Sequence, residues 1–505
     1  MKAKLLLIIA ALLAVIACHK GSDPLENYSF YDFLAFDGAT NSFGKMFEIV
    51  WKGLNSNYPI WDVEEKYGLD WDDIYEEYYP KFCDLDSLDT VTDDDLHKLM
   101  EEAFGGLHEG HLYIIMNNYH TGSDVRFYPS ESRLYSERYQ EVCDNYWFYS
   151  DLSYYEGMPG ELLECKTLRW NLGIRNCIRW VEKQLQELYQ KTMLTDEEFE
   201  LQKDYQDFVN TANEALDEDN YELLNMIVYK YKDLGIPGLD YVDTNLLSHG
   251  MDITFALFRG NIAYLYFDLF RLTSFLDADS FSSTWANSTQ RTLEYTNDVK
   301  EAWNSWFYSI QRLHEAGKLG GVIIDVRSNR GGSESDFQYT LGALVPSGGL
   351  YIMDHRYKRG TGRYDYSPLM PYFMDTYPHE HVTVTEPIVV LANCLSGSMA
   401  DATAIGTKSI DNAVLIGTRT RGALENIISN YAYSVNYAGL IGEDGVTPVY
   451  CHLPFVASFT KEGESLESIG VTPDIEVAFD AEAWNYGAGP DNQLDRALEY
   501  IRKGK

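Results

Sequence analysis

The sequence predicts an α/β fold with a mostly parallel sheet at its core. Three short, apolar segments in the second half of the chain are predicted strands: residues 321–326, 387–392 and 413–416. Helical segments lie between them, and apolar strands that alternate with helices are typical of a parallel sheet covered on both faces. Sites in such sheets lie at the carboxyl ends of the strands, so the residues that follow each strand are the candidates for function.

The first residues of the chain predict export and a lipid anchor. Two lysines precede an apolar stretch, residues 5–16, which is shorter than the about 20 residues that span a bilayer and fits a signal peptide over 1–17. The residues V-I-A-C up to Cys18 resemble the bacterial lipobox, in which cleavage precedes a lipidated cysteine. A plain signal peptide with an incidental cysteine is the alternative. We expect residues 18–26 to be a tether that anchors the protein to a membrane of the cell envelope, in the periplasm or at the outer membrane.

Residues 27–118 are predicted to form a mainly helical domain. Apolar residues recur near a 3.6-residue period from Phe30 to Trp51, and Thr92 is placed to cap a later helix. At the end of this domain the tetrapeptide H-E-G-H, residues 108–111, leads into a predicted strand. This tetrapeptide is the first candidate for chemistry along the chain.

Residues 119–250 are predicted to form a Tyr-rich, mostly helical insertion. The segments 167–189 and 195–231 have the length and charge of surface helices, and the second opens with a T-D-E-E capping box. The pattern then changes to a β-hairpin over 253–267, which precedes the predicted strands. Residues 251–505 are therefore the predicted core domain.

Charge and composition exclude several classes of function. The 505 residues hold 40 Lys and Arg against 78 Asp and Glu, which gives 40 − 78 = −38. This balance argues against nucleic acid as a partner, because neutralising phosphates takes clustered basic residues. The H-E-G-H histidines lie three residues apart, not four as in the zinc motif H-E-x-x-H, and the chain has no C-x-x-C pair. His379 and His381 are the remaining metal candidates, and we expect neither a metal nor a cofactor.

Five motifs follow the predicted strands or stand near the end of the chain. Each motif alone is compatible with an ordinary turn or helix cap. The motifs are D-V-R-S-N-R-G-G at 325–332, N-C-L-S-G-S-M-A-D at 393–401, G-T-R-T-R-G at 417–422, G-V-T-P-D at 470–474 and D-N-Q-L at 491–494.

In this order and spacing, the five motifs resemble those of the S41 serine peptidases, the family of C-terminal processing proteases and tricorn-core proteases. The resemblance covers roughly residues 251–505 and implies a ClpP/crotonase-like core that hydrolyses peptides or proteins without a cofactor. Many members carry a PDZ domain where this chain has residues 119–250. The long charged helices predicted there differ from a small β-rich domain, so a helical insertion is expected instead.

The resemblance assigns the nucleophile to Ser398, at a strand-to-helix junction. A helix N-terminus lowers the cost of developing negative charge, which suits a nucleophile and its oxyanion. The backbone N–H of Met399 is one implied oxyanion donor, and Gly331 or Gly332 supplies the other. Two alternatives stay open: Ser398 as a simple helix cap, and Ser396 as the nucleophile.

The members that this chain resembles use two different general bases. Processing-type members use a lysine, but Ala423 occupies the matching position, which disfavours a Ser–Lys dyad. Tricorn-like members use a histidine from the segment before the core, which falls on His111, and a late glutamate, which falls on Glu467. Gly110 stands where some members carry a serine, so the polar network lacks one hydroxyl. The alternatives are a turn role for His111 and a solvated turn carboxylate for Glu467.

Two functions follow from these observations. The first is a secreted, lipid-anchored serine peptidase in which Ser398 attacks and His111 acts as base, with Glu467 orienting it. The second is a weakly active or inactive envelope protein on the same fold that binds peptide or glycan, since fold alone does not determine function.

Overall fold

The structure is a computed structural model that describes most of the chain after residue 38. The predicted signal peptide, Cys18, the tether and His379 lie outside the described residues. The described ranges are 39–146, 148–168, 172–191, 194–217, 221–236, 239, 251–277, 290–376, 381–424, 442, 444–454 and 456–504.

The chain divides into two compact units, each assembled from separate stretches. The first unit comprises Met1–Cys143, Leu350–Met374 and Arg419–Thr472. The second unit comprises Asp144–Gly349, Asp375–Thr418 and Pro473–Lys505.

Helices dominate the N-terminal part of the first unit, as the sequence predicts. They are α1 (Phe43–Asn57), α2 (Trp61–Lys66), α3 (Trp71–Leu85), α4 (Asp93–Phe104) and α5 (Pro129–Tyr146), whose end belongs to the second unit. Thr92 caps α4 through a reciprocal capping box with Asp95. The periodic apolar residues of α1 are buried in an aromatic-rich core, where Phe47 stacks on Phe82 and Phe104.

Two antiparallel sheets complete the first unit. The strands are β1 (Tyr113–Asn118), β2 (Ser123–Phe127), β7 (Leu350–Tyr357), β8 (Met370–Met374), β11 (Val449–His452) and β12 (Val456–Phe459). One sheet has the order β11–β1–β2, and the other has the order β12–β7–β8. The H-E-G-H tetrapeptide enters directly into β1, so its backbone is anchored to a sheet.

A seven-stranded sheet forms the centre of the second unit and confirms the α/β prediction. Its strands are β3 (Leu162–Leu168), β4 (Ile253–Phe258), β5 (Ile262–Phe267), β6 (Gly321–Asp325), β9 (Ile388–Ala392), β10 (Ala413–Gly417) and β13 (Ile475–Glu476). Their order is β13–β10–β9–β6–β5–β4–β3, with parallel pairing from β5 through β13 and antiparallel pairing among β3, β4 and β5. The three predicted apolar strands, β6, β9 and β10, are present and almost wholly buried.

Helices flank this sheet and build the insertion. They are α6 (Ser153–Glu156), α7 (Leu172–Tyr189), α8 (Asp196–Asp217), α9 (Tyr221–Tyr231), α10 (Leu272–Leu276), α11 (Gln290–Glu315), α12 (Met399–Thr407), α13 (Ala481–Trp484) and α14 (Asn492–Lys503). Helices α7, α8 and α9 enclose an apolar core of their own, which includes Cys177 and Phe208. In the described ranges no helix combines the length and apolar character needed to cross a membrane.

One helix prediction in the insertion is wrong at its start. The sequence predicts a helix from residue 167, but Thr167 and Leu168 end strand β3 and pair with Thr254 and Ile253 of β4. The cross-strand contact between the hydroxyls of Thr167 and Thr254, at 3.1 Å, shows tertiary pairing outweighing local helix preference.

Acid is expected to destabilise the first unit through His355 on β7. The side chain is buried and stacks on Tyr372, and burial lowers its pKa to about 4. The unfolded chain, with a histidine pKa near 6.5, binds the proton more readily, so stability is lost as pH falls from about 6.5 through 4. Over this pH interval, we expect the free energy of unfolding to fall by about 3 kcal/mol less in His355→Phe than in the parent. Urea unfolding at pH 7 and pH 4 measures this, with the exposed His97→Phe as control; equal losses in the parent and His355→Phe would contradict it.

Candidate active site

Ser398 occupies a strained turn between β9 and α12. Its φ of 55° and ψ of −117° lie in a region that residues with a side chain rarely adopt. Such strain costs about 1–3 kcal/mol and persists only when surrounding contacts hold it. Here the Ser398 N–H donates to Asp401 Oδ2 at 3.1 Å, and the Gly397 N–H donates to the Asn329 carbonyl at 3.0 Å. The chain therefore holds this serine in an unfavourable conformation at the start of a helix.

The glycine pair after β6 lies against this serine. A Cβ added to Gly331 would lie 2.4 Å from Ser398 Cβ and 3.0 Å from the Met399 nitrogen, and the φ of Gly331 is 101°. Only glycine fits this approach without displacing the backbone. The 325–332 and 393–401 motifs therefore come together as the sequence predicts.

Hydrogen bonding separates the two candidate glycine donors. The Gly331 N–H donates to Asn329 Oδ1 at 2.8 Å and is occupied. Within the described part of the chain, the N–H groups of Gly332 and Met399 donate no hydrogen bond. Of the predicted oxyanion donors, Gly332 and Met399 thus keep unoccupied N–H groups in the described part of the chain, and their role stays a prediction.

Ser396 has a structural role. Its Oγ donates to the Val326 carbonyl at 2.7 Å and accepts from the Asn393 N–H at 2.9 Å, and the side chain is fully buried. These bonds join the ends of two neighbouring strands. A hydroxyl engaged in this way is poorly placed to attack a substrate, which favours Ser398 over Ser396.

A buried ionic cluster connects the first and last motifs of the core. Arg327 is fully buried; its Nε donates to Asp325 at 2.9 Å and its Nη1 to Asp491 at 2.8 Å. Gln493 accepts from the same Nη1 at 3.0 Å. Buried charges need paired partners, so this cluster holds the β6 end and the start of α14 in one arrangement. The D-x-R and D-x-Q-L motifs are thereby explained as scaffold for the glycine pair.

The H-E-G-H tetrapeptide of the first unit is held at every residue. The His108 N–H donates to Glu64 at 2.7 Å, and the Glu109 N–H donates to the Tyr58 hydroxyl at 3.1 Å. The Gly110 N–H donates to Glu467 Oε2 at 2.8 Å, and the His111 N–H donates to Glu109 Oε1 at 2.8 Å. Backbone N–H groups that would otherwise be unsatisfied thus fix this turn in place.

Glu467 contacts backbone nitrogens on both sides of this turn. One carboxylate oxygen accepts from Gly110 and the other accepts from Leu424, and the side chain is almost fully buried. Burial of Glu467 argues against the solvated-turn alternative. The carboxylate joins the H-E-G-H turn to the loop that carries Ala423, and its orienting role toward His111 stays a prediction.

Packing accounts for the glycine at position 110. A Cβ added to Gly110 would lie 2.6 Å from both Cα and Cβ of Ala423 and 2.9 Å from Glu467 Oε2. The Gly110 backbone therefore packs directly against the buried Ala423, and a serine at position 110 would displace one of the two segments.

The predicted site residues fall into two groups. Ser398, Met399, Gly331 and Gly332 lie together in the second unit, whereas His111 and Glu467 belong to the first unit. Sequence reasoning missed Asp401, Asn329 and Glu109. The first two stand inside the recognised motifs, where their spacing to Ser398 and Gly331 was the available signal. Among the described residues no group of His, Cys, Asp and Glu is arranged to hold a metal ion.

Comparisons with known proteins agree with the motif pattern. Residues 292–477, a little over a third of the chain, match the model of peptidase family S41. The chain is 29% identical over 194 residues to the tricorn protease of Thermoplasma volcanium and 25% identical over 189 residues to the carboxy-terminal-processing protease of Bartonella bacilliformis. These stretches cover 38% and 37% of this chain, but only 15% and 38% of the relatives' own lengths.

A solved structure resembles the chain over more of its length. The structure of mature CPAF complexed with lactacystin matches 92% of this chain and 98% of its own chain, at 15% identity and a TM-score of 0.45.

Proposed function

We propose that the protein is a secreted, lipid-anchored serine peptidase of the cell envelope that hydrolyses peptide bonds in peptides or proteins. The observation that carries the proposal is the strained Ser398, held at a helix start beside Gly331, with the nearby N–H groups of Gly332 and Met399 unoccupied in the described part of the chain. Strained residues of this kind concentrate at catalytic sites, where a strand-to-helix turn exposes a nucleophile. The match to the S41 family model and the similarity to tricorn and carboxy-terminal-processing proteases support the same interpretation.

The proposed chemistry assigns one role to each group. Ser398 Oγ attacks the substrate carbonyl carbon while His111 takes the hydroxyl proton as general base. The Met399 and Gly332 N–H groups stabilise the tetrahedral oxyanion. His111 then gives the proton to the leaving amine, the peptide bond breaks, and an acyl-enzyme forms. Water attacks the ester in the same way and releases the acid and the free serine.

Labelling with a fluorophosphonate tests the nucleophile directly. We expect the full-length protein to be labelled covalently and Ser398→Ala to remain unlabelled, because the reagent phosphonylates an activated serine. Labelling of Ser398→Ala at the parental rate would refute the assignment. Peptide binding without labelling or turnover would instead favour the inactive binding protein.

The lipid anchor has its own test at Cys18. We expect the expressed protein to sediment with membranes and to take up labelled palmitate, and Cys18→Ser to lose the label, because the acyl chains attach through this cysteine. The exposed Cys143→Ser is the matched control and should keep both properties. Palmitate incorporation into Cys18→Ser would contradict the anchor.

A further inference from the structure

Glu109 is a fully buried carboxylate beside the proposed base. His111 Nδ1 lies 3.4 Å from Glu109 Oε1, and the same oxygen accepts the His111 backbone N–H at 2.8 Å. Neither His111 Nδ1 nor Glu109 Oε2 has a hydrogen-bond partner within the described part of the chain. A buried carboxylate is costly unless it is paired, so this arrangement requires a physical reason.

The other carboxylates near the turn are engaged elsewhere. Both oxygens of Glu467 accept backbone N–H groups, and Glu64 pairs with the His108 ring, with its Oε2 2.6 Å from Nδ1. Of these three buried glutamates, Glu109 is the one whose ion-pair partner is the His111 ring. Each histidine of the tetrapeptide therefore has a glutamate beside it: Glu64 lies beside His108, and Glu109 lies beside His111.

We propose that Glu109 is the positioning residue for His111 and accepts its Nδ1 proton, so that Nε2 is the free base. This inference rests on the proposed function and deepens it, since it assigns to Glu109 the orienting role that the family resemblance places on Glu467. A carboxylate at Nδ1 selects one tautomer and stabilises the imidazolium that forms when the base takes a proton. The backbone bond from His111 to Glu109 Oε1 holds that oxygen near the ring, 3.4 Å from Nδ1. The 3.4 Å between Nδ1 and Oε1 is longer than a formed hydrogen bond, but catalytic hydrogen bonds are often long before substrate binds.

The charged groups around His111 favour this pairing. Glu109 and Glu467 supply negative charge, and His452 of β11 is the neighbouring histidine. Burial, reinforced by the positive charge of His111, lowers the pKa of His452 to about 4. His452 is therefore neutral at neutral pH and does not compete for the carboxylate.

Glu109→Gln removes the charge and keeps an oxygen that can accept the His111 N–H. We expect kcat for peptide hydrolysis to fall by about 10²- to 10⁴-fold with little change in KM. The acidic limb of the pH–rate profile should move to lower pH by about one unit or more, because the imidazolium loses its counter-charge. Glu109→Asp keeps the charge, so the acidic limb of its pH–rate profile should stay at the parental pH.

Glu64→Gln is the matched control, because Glu64 is also buried and paired with a histidine of the same tetrapeptide. It should lower the thermal midpoint without moving the acidic limb. Equal shifts of the limb in Glu64→Gln and Glu109→Gln would overturn the proposal, since the effect would then be general to the turn.

A readout independent of turnover separates this inference from the proposed function. In ¹⁵N-histidine-labelled full-length protein, we expect His111 to be protonated at Nδ1 in its neutral form, and this tautomer preference to be lost in Glu109→Gln. If the parent shows this pairing but hydrolyses no peptide, the peptidase proposal fails and the pairing stands. An unchanged His111 spectrum in Glu109→Gln would overturn the pairing whether or not the protein is active.

Discussion

Ser398→Ala is expected to reduce kcat for peptide hydrolysis by about 10⁴- to 10⁶-fold, because the acyl-enzyme route is lost once the nucleophile is removed. Residual turnover above the uncatalysed rate would come from the oxyanion donors and substrate binding. Initial rates on a peptide mixture at pH 7, followed by mass spectrometry, measure the change. The thermal midpoint should change little, because the contact that alanine removes is the helix-capping contact between the Ser398 side chain and the Asp401 N–H.

Ser396→Ala is the control for this variant. The two serines stand on the same turn, but Ser396 joins the ends of two strands through its hydroxyl, whereas Ser398 carries the backbone strain. Loss of the buried Ser396 hydrogen bonds should lower stability by about 1–3 kcal/mol while fluorophosphonate labelling persists. A larger loss of turnover in Ser396→Ala than in Ser398→Ala, at temperatures where both are folded, would reverse the assignment.

The sheet was predictable because its strands bury both faces. The segments around 321–325, 388–392 and 413–417 are apolar at almost every position, and such runs have few alternatives to a covered parallel sheet. Strand β3 was not predictable in the same way. Four of its seven residues are exposed, so its pairing with β4 depends on a partner distant in the chain.

The motif pattern located the candidate nucleophile but not the contacts around it. The choice between Gly331 and Gly332 depends on the side-chain oxygen of Asn329, which occupies one N–H group and leaves the other. The contact of Gly110 with Ala423 joins residues more than 300 positions apart, which no local pattern encodes. Such pairings arise from packing and become visible only once the chain is folded.

Gly331→Ala is the second variant with a large expected effect. A Cβ at this position would enter the space of Ser398 Cβ at 2.4 Å and lie 3.0 Å from the Met399 nitrogen, so either the serine or the donor must move. A 1 Å displacement of reacting groups costs about 10²-fold in rate, and loss of one oxyanion donor costs about 10²- to 10³-fold. We therefore expect kcat to fall by at least about 10²-fold with KM changed less.

Gly260→Ala separates this steric effect from backbone strain. Gly260 has a φ of 90°, close to the 101° of Gly331, but no atom lies within 4 Å of an added Cβ. Both variants should lose about 1 kcal/mol or more of stability from the left-handed backbone, measured by urea unfolding. Only Gly331→Ala should lose turnover and fluorophosphonate labelling, because only there does the new methyl group meet the nucleophile. If both variants kept full turnover, the contact between Gly331 and Ser398 would have no catalytic role, and the oxyanion donors would have to be sought elsewhere in the second unit.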